Sequence, residues 1–165
     1  MTIPIVTQED EVIGSKERDE IDFATDIFRT ASLWITNSQG DVLLAQRKLN
    51  KKIDPGKWAE AVGGTVEGMD SYEETVIREA EEELGLTNIQ IIAGPKQFIA
   101  SPARYFVQWY VTVIDQEASA FAVQEEEVEK IAWIPRQQLL DELHHKPEKY
   151  IAAMPEIVAL FPANA

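Results

Sequence analysis

Cysteine is missing altogether, which excludes a disulfide framework, a thiolate zinc site and a cysteine nucleophile together. Basic residues are scarce: 15 Lys and Arg stand against 29 Asp and Glu, a formal net charge of −14. Binding along the phosphate backbone of a long nucleic acid is driven by Lys and Arg releasing counterions, so that partner class is not expected. A small anionic substrate stays compatible where a metal and a few local bases neutralise it. Long apolar runs are missing too. No stretch approaches the roughly 20 residues that cross a bilayer, and residues 1–10 show no basic segment followed by an apolar run. The expectation is no membrane association and a cytoplasmic location.

What is present has the balance of a globular chain, 45% hydrophobic and 27% charged over 165 residues, enough to bury one core without disulfides. A single domain over residues 1–165 is expected, with an N-terminal hairpin and lead-in at 1–27, a core at 28–134 and C-terminal helices at 135–165. Two β-prone runs within 3–15 flank Gln8, Glu9 and Asp10 and read as a hairpin, with Gly14 marking a turn. Runs 28–35 and 42–46 read as strands joined by the turn formers Asn37, Ser38, Gln39 and Gly40. The basic segment 48–56 ends in Pro55-Gly56 and reads as an ordered loop. One short strand is expected over 58–66, where the pair Gly63-Gly64 signals close backbone approach or a bend. Further strands are expected at 89–93, 97–100, 105–114 and 130–134. Pro135 opens a helix through 143 and Pro147 another through 154, where Pro155 forces a break or restart. This order of elements predicts an α+β sandwich, a sheet flanked by helices.

Residues 71–84 carry the clearest helical pattern. Tyr72, Val76, Ala80 and Leu84 recur every fourth position with Ile77 beside them. Ser71 with Glu74 matches a capping box, and Gly85 stands where a left-handed terminator is expected. On that helix Glu79 has Glu82 and Glu83 at i+3 and i+4, which brings their Cβ atoms within about 5–6 Å. Like-charge pairs at this spacing cost an exposed helix only about 0.2–0.5 kcal/mol each, so composition alone favours an acidic solvated face, and it is the surrounding order of residues that shifts the balance. Hard divalent cations such as Mg²⁺ take carboxylate oxygens and bind together with substrate phosphates. Gly63-Gly64, just upstream, leaves room beside those oxygens, and Arg78 could orient a carboxylate.

Gly64, five residues, Asp70, seven residues and then Arg78-Glu79-Ala80-Glu81-Glu82-Glu83-Leu84-Gly85-Leu86 resembles the Nudix box, the one departure being Asp70 where the family has Glu. The resemblance implies a Nudix-type α/β/α sandwich with a mixed sheet. It also implies an Mg²⁺-dependent hydrolase, with Mn²⁺ as an alternative ion, that cleaves a diphosphate linkage of a nucleoside diphosphate derivative or similar small organic diphosphate. Metal ligation falls to Glu79, Glu82 and Glu83, with the Gly64 carbonyl as a further ligand. Glu82 or an acid within 124–129 would take the proton of the attacking water. Glu127 is preferred there, with Glu125 and Glu126 close behind.

Arg47, Lys51 and Lys52, with Lys48, form the densest basic cluster and are expected to meet substrate phosphates. Trp58 and Trp109 could stack a base, although such residues in strands are more often core. The flanking runs Glu11-Val12-Ile13-Gly14, Asp54-Pro55-Gly56-Lys57-Trp58 and Glu125-Glu126-Glu127-Val128 resemble the isopentenyl-diphosphate isomerase branch. That branch needs a cysteine near the place of Gly63 and a second catalytic glutamate within 91–114, and this chain has neither. A non-catalytic nucleotide-binding module is the reading from a different class. A homodimer is possible, since the hairpin has edges available for pairing.

Overall fold

The computed structural model describes residues 1–163. The chain opens with an antiparallel hairpin, β1 (Ile3–Val6) and β2 (Val12–Lys16). Its turn comes earlier than Gly14, which lies inside β2 opposite Ile5. The Thr7 hydroxyl accepts the backbone N–H groups of Glu9 and Glu11, each at 3.2 Å, and Asp10 takes the left-handed position at φ 62. These local bonds make the turn without glycine.

β3 (Ile27–Thr36) and β4 (Val42–Arg47) flank a turn in which Asn37 Oδ1 accepts from the N–H groups of Gln39 and Asp41. The strand expected over 58–66 is divided into β5 (Trp58–Glu60) and β6 (Val62–Thr65). The reason is pairing: β5 bonds to β4, while β6 runs antiparallel to β3, so the chain changes partner at Ala61. α1 (Tyr72–Leu84) follows. Beyond it, β7 (Ile92–Ile99) is one strand where two were expected. A register shift between Ala93 and Lys96 absorbs Gly94 and Pro95, and a bulge is where a residue without an N–H is tolerated inside a strand.

β8 (Arg104–Val113) runs parallel to the whole of β3 and antiparallel to β7. β9 (Val128–Ile134) lies antiparallel to β4. α2 (Arg136–His145) leads to a single 3-10 turn at Pro147–Lys149 and then to α3 (Met154–Leu160). The helix expected over 147–154 is not formed. Tyr150 bridges to Trp58, and the Ile151 N–H donates to the Trp58 carbonyl at 3.0 Å. Pro155 stands in the first turn of α3, where no N–H is required.

The sheet is mixed. One half runs β7-β8-β3-β6 and contains the parallel pair; the other runs β5-β4-β9 and is antiparallel. Side chains alternate across each strand, so β3 feeds two cores. Ala31, Leu33 and Ile35 pack under Val76, Ala80 and Leu84 of α1. Trp34 faces the opposite way, into a cluster with Leu139 of α2 and Ile157 and Val158 of α3. Helices therefore cover both faces, which is the α/β/α arrangement expected.

The hairpin is tied down at its tip. Burial works to raise the Asp10 pKa, but hydrogen bonds from Lys96 Nζ (2.6 Å), Arg29 Nε (2.7 Å) and the Tyr72 hydroxyl (2.8 Å) hold it below the usual value. Among the described residues no helix is long and apolar enough to cross a membrane.

Candidate active site

The ends of α1 are built as its sequence predicts. Ser71 Oγ accepts the Glu74 N–H at 3.0 Å, and the Glu74 carboxylate accepts the Ser71 N–H at 2.9 Å. Gly85 closes the helix at φ 66, its N–H bonding to the Glu81 carbonyl at 2.9 Å. Both ends being set, the rotation of every side chain between them follows. Val76, Ala80 and Leu84 face the core, whereas Ile77 is 43% exposed and does not join them.

Successive helical residues are about 100° apart, so Glu83 stands beside the buried stripe, Glu79 farther round and Glu82 nearly opposite it. The three carboxylates are therefore not equivalent. The side chain of Glu79 is 18% exposed and that of Glu82 is 54% exposed. Glu83 Oε2 accepts the Gly63 N–H at 3.0 Å. Burial pushes the Glu83 carboxyl up to about 8, and the charges of Glu79, Glu60 and Glu127 add to the shift. Glu79 is also raised, by burial first and by Glu82 second, with Arg78 opposing.

The glycine pair is the seat for this face of the helix. A Cβ on Gly64 would lie 2.4 Å from Cδ of Glu79, and one on Gly63 would lie 2.9 Å from Oγ of Ser32. No side chain fits at Gly64 while Glu79 keeps its place. Arg78 bonds to the Asp70 carboxylate and lies 3.5 Å from Glu79 and 3.9 Å from Glu82. Ser71, not Asp70, is the N-cap. Asp70 anchors Arg78, which in turn sits between two of the helix glutamates.

Gly63, Gly64 and Glu83 line one end of a cleft of about 350 Å³ that also takes in Arg47, Glu60 and Glu127. Of the expected phosphate contacts, Arg47 is in the wall, its Nε donating to the Ile53 carbonyl at 3.0 Å. Lys51 is ion-paired to Glu127. Lys52 is exposed and forms no ion pair among the described residues. Trp58 is buried in the second core, and Trp109, 1% exposed, forms part of the cleft wall.

Glu60 was not singled out from the sequence. Its Oε2 is buried without a hydrogen-bond partner, and burial raises its pKa, against a smaller opposing effect of Arg47. The signal was there: one acid inside the apolar run Trp58-Ala59-Glu60-Ala61-Val62. A carboxylate placed so needs a counterpart.

Among the described residues no three acids or histidines converge as a ready-made metal cage. The donor set nevertheless suits a hard divalent ion. It consists of carboxylate oxygens on rigid elements, one of them buried and unpartnered, beside a backbone with no side chain in the way.

This helix-on-glycine seat, the mixed sheet and the acid-lined cleft place the protein in a defined class. The NUDIX domain profile matches residues 26–154, and the chain belongs to the Nudix family, as a hydrolase acting on phosphorus-containing anhydrides. Among its relatives is the uncharacterised Nudix hydrolase PA4841 of Pseudomonas aeruginosa, 28% identical over 142 residues, covering 86% of this chain and 83% of the relative. The uncharacterised Nudix hydrolase YfcD of Escherichia coli is 28% identical, covering 83% and 75%. An isopentenyl-diphosphate Δ-isomerase of Corynebacterium diphtheriae is 27% identical, covering 70% and 68%. The crystal structure of DR0079 from Deinococcus radiodurans shares the fold, with a TM-score of 0.82 at 23% identity over 98% of this chain and 100% of that one.

Proposed function

We propose that the protein is a Mg²⁺-dependent pyrophosphohydrolase, with Mn²⁺ able to replace Mg²⁺, that cleaves the diphosphate linkage of a nucleoside diphosphate derivative or a similar small organic diphosphate. The observation that carries this reading is the interlock of Glu79 and Glu83 with Gly64 and Gly63, set at the end of a cleft with the unpartnered Glu60 oxygen. Glu79, Glu83 and the Gly64 carbonyl would hold the metal, with Glu82 on the open side and Glu60 from the facing strand. When bound there, the ion supplies phosphoryl polarisation and a lower pKa for attacking water.

The chain's own groups do the rest. Arg78, anchored by Asp70, spreads the charge of Glu79 and Glu82 and keeps both oriented. Arg47, in the cleft wall, meets a substrate phosphate. Lys51 reaches the cleft only through its pair with Glu127, which lines it, and Lys52, exposed and outside the cleft lining, acts as a screened charge. Glu127 is the better placed base: it lines the cleft, whereas Glu82, its side chain 54% exposed, is not among the lining residues. Glu125 and Glu126 are exposed like Glu127 but do not line this cleft.

Isomerisation is the reading the Corynebacterium relative brings forward. It is disfavoured by the lack of cysteine and by the closure of the Gly63 position, where a side chain would meet Ser32. The test is phosphate or nucleotide release from a panel of nucleotide, sugar-nucleotide and isoprenoid diphosphates with Mg²⁺. EDTA and Glu83→Gln serve as controls. Release lost in both controls is expected; turnover that persists in Glu83→Gln with EDTA present would sink the metal-centred reading.

A further inference from the structure

The cleft does not end at the acids. It continues over β3, β8 and β7, where Phe28, Tyr105, Ile99 and Gln97 line it. The strand register puts Thr65 of β6, Thr30 of β3, Val107 of β8 and Gln97 of β7 in one row across the sheet. With strands about 4.8 Å apart, Gln97 stands roughly 14 Å from the residue that follows Gly64. A sugar between the phosphates and a ring spans such a gap, and a five-carbon chain falls short of it.

The chemistry of that far end is unusually well specified. Gln97 Oε1 accepts the indole N–H of Trp109 at 2.9 Å. Indole can only donate, so the amide oxygen must face it and the NH₂ must face elsewhere. That NH₂ has no acceptor among the described residues and is not sealed from solvent. The buried Trp109 thus orients a donor within a wall that is otherwise apolar at Ile99, Val107 and the stacked pair Phe28–Tyr105, whose ring centroids are 5.2 Å apart.

We infer that Gln97 is a specificity-determining residue: its amide N–H reads a hydrogen-bond acceptor on the base of a nucleoside diphosphate derivative and discriminates against isoprenoid diphosphates. The inference rests on the diphosphate-cleaving reading of the same cleft. A hydrocarbon laid over the donor would desolvate it and return no hydrogen bond, and a site built to bond a polar group rejects the analogue that lacks it far more strongly than it rejects a change of size. Tyr105 and Phe28 supply the apolar flank against which the ring lies.

The experiment is calorimetric binding, with Mg²⁺, of methylene-bridged nucleoside diphosphates carrying each of the four common bases, of isopentenyl diphosphate and of ringless methylenediphosphonate. It is run on the wild type, Gln97→Leu and Gln97→Glu, alongside turnover of the corresponding hydrolysable diphosphates. Gln97→Glu keeps an oxygen for Trp109 and so separates loss of the donor from damage to the fold. Both variants are expected to weaken the preferred nucleoside analogue roughly 10- to 100-fold. The ringless diphosphonate should change by no more than about twofold, because Gln97 stands three strands, roughly 14 Å, from the glycine end of the cleft where the phosphates would be held. Unchanged nucleoside affinity in both variants, or a wild type that prefers isopentenyl diphosphate, overturns the inference. Binding that depends on Gln97 without hydrolysis of any diphosphate upholds it and defeats the hydrolase reading instead.

Discussion

Glu83 shows how much one carboxyl can report. Its ordinary value of 4.5 rises to about 8 in the fold, chiefly through burial. The folded protein therefore holds this proton more tightly than the unfolded chain does. The stability it contributes is complete below about pH 4.5 and is lost as pH rises through about 8. Glu60 and Glu79 are shifted the same way, again chiefly by burial. In EDTA, the melting temperature of the wild type should fall between pH 5 and pH 8.5, and Glu83→Gln should make that fall shallower. Equal slopes for the two proteins would show that Glu83 does not titrate in this range. A divalent ion needs the ionised forms, so the difference should shrink when Mg²⁺ is present.

The decisive element is α1 on β6. Two substitutions separate the stability of the helix from its seating. Ser71→Ala removes the cap and should cost about 1 kcal/mol, read as a lower urea midpoint with kcat nearly unchanged. Gly64→Ala puts a methyl group where Glu79 lies, so either the strand or the carboxylate must move. A stability loss of about 1–3 kcal/mol is expected, together with loss of turnover far greater than in Ser71→Ala. Gly64→Ala with normal turnover would mean that Glu79 need not rest on that backbone. This helix was legible in the sequence because its cap, its terminator and its spacing are all local. Ile77 was misassigned because spacing alone does not say where a neighbouring element stops covering the helix.

At the scale of the whole molecule, the N-terminal hairpin is joined to strand and helix through one carboxylate. Asp10 bonds Arg29 on β3, Lys96 on β7 and Tyr72 on α1, while Ile3 and Ile5 pack with Ile21 and Phe28. Asp10→Ala should cost about 2–3 kcal/mol, as hydrogen bonds to a charged group do, and should make residues 7–11 the first site cut in limited proteolysis. A variant as resistant as the wild type would show that the apolar contacts hold the hairpin by themselves. Phe28 also lines the cleft, so a loosened hairpin should raise KM more than it lowers kcat.

The sequence by itself determined the turn formers of the β3–β4 hairpin, both ends of α1 and the order of acids along it, because each depends on residues a few positions apart. Only the tertiary structure decided that residues 58–66 divide between two partners, that Pro95 sits in a bulge, and that Tyr150 bridges to Trp58 instead of extending a helix. It alone brought Glu60, Glu127 and Gln97 into one cleft with Gly63 and Gly64. Those placements come from strand pairing and packing between segments far apart in the chain, and the free energy of such contacts has no local signature for a pattern to reveal.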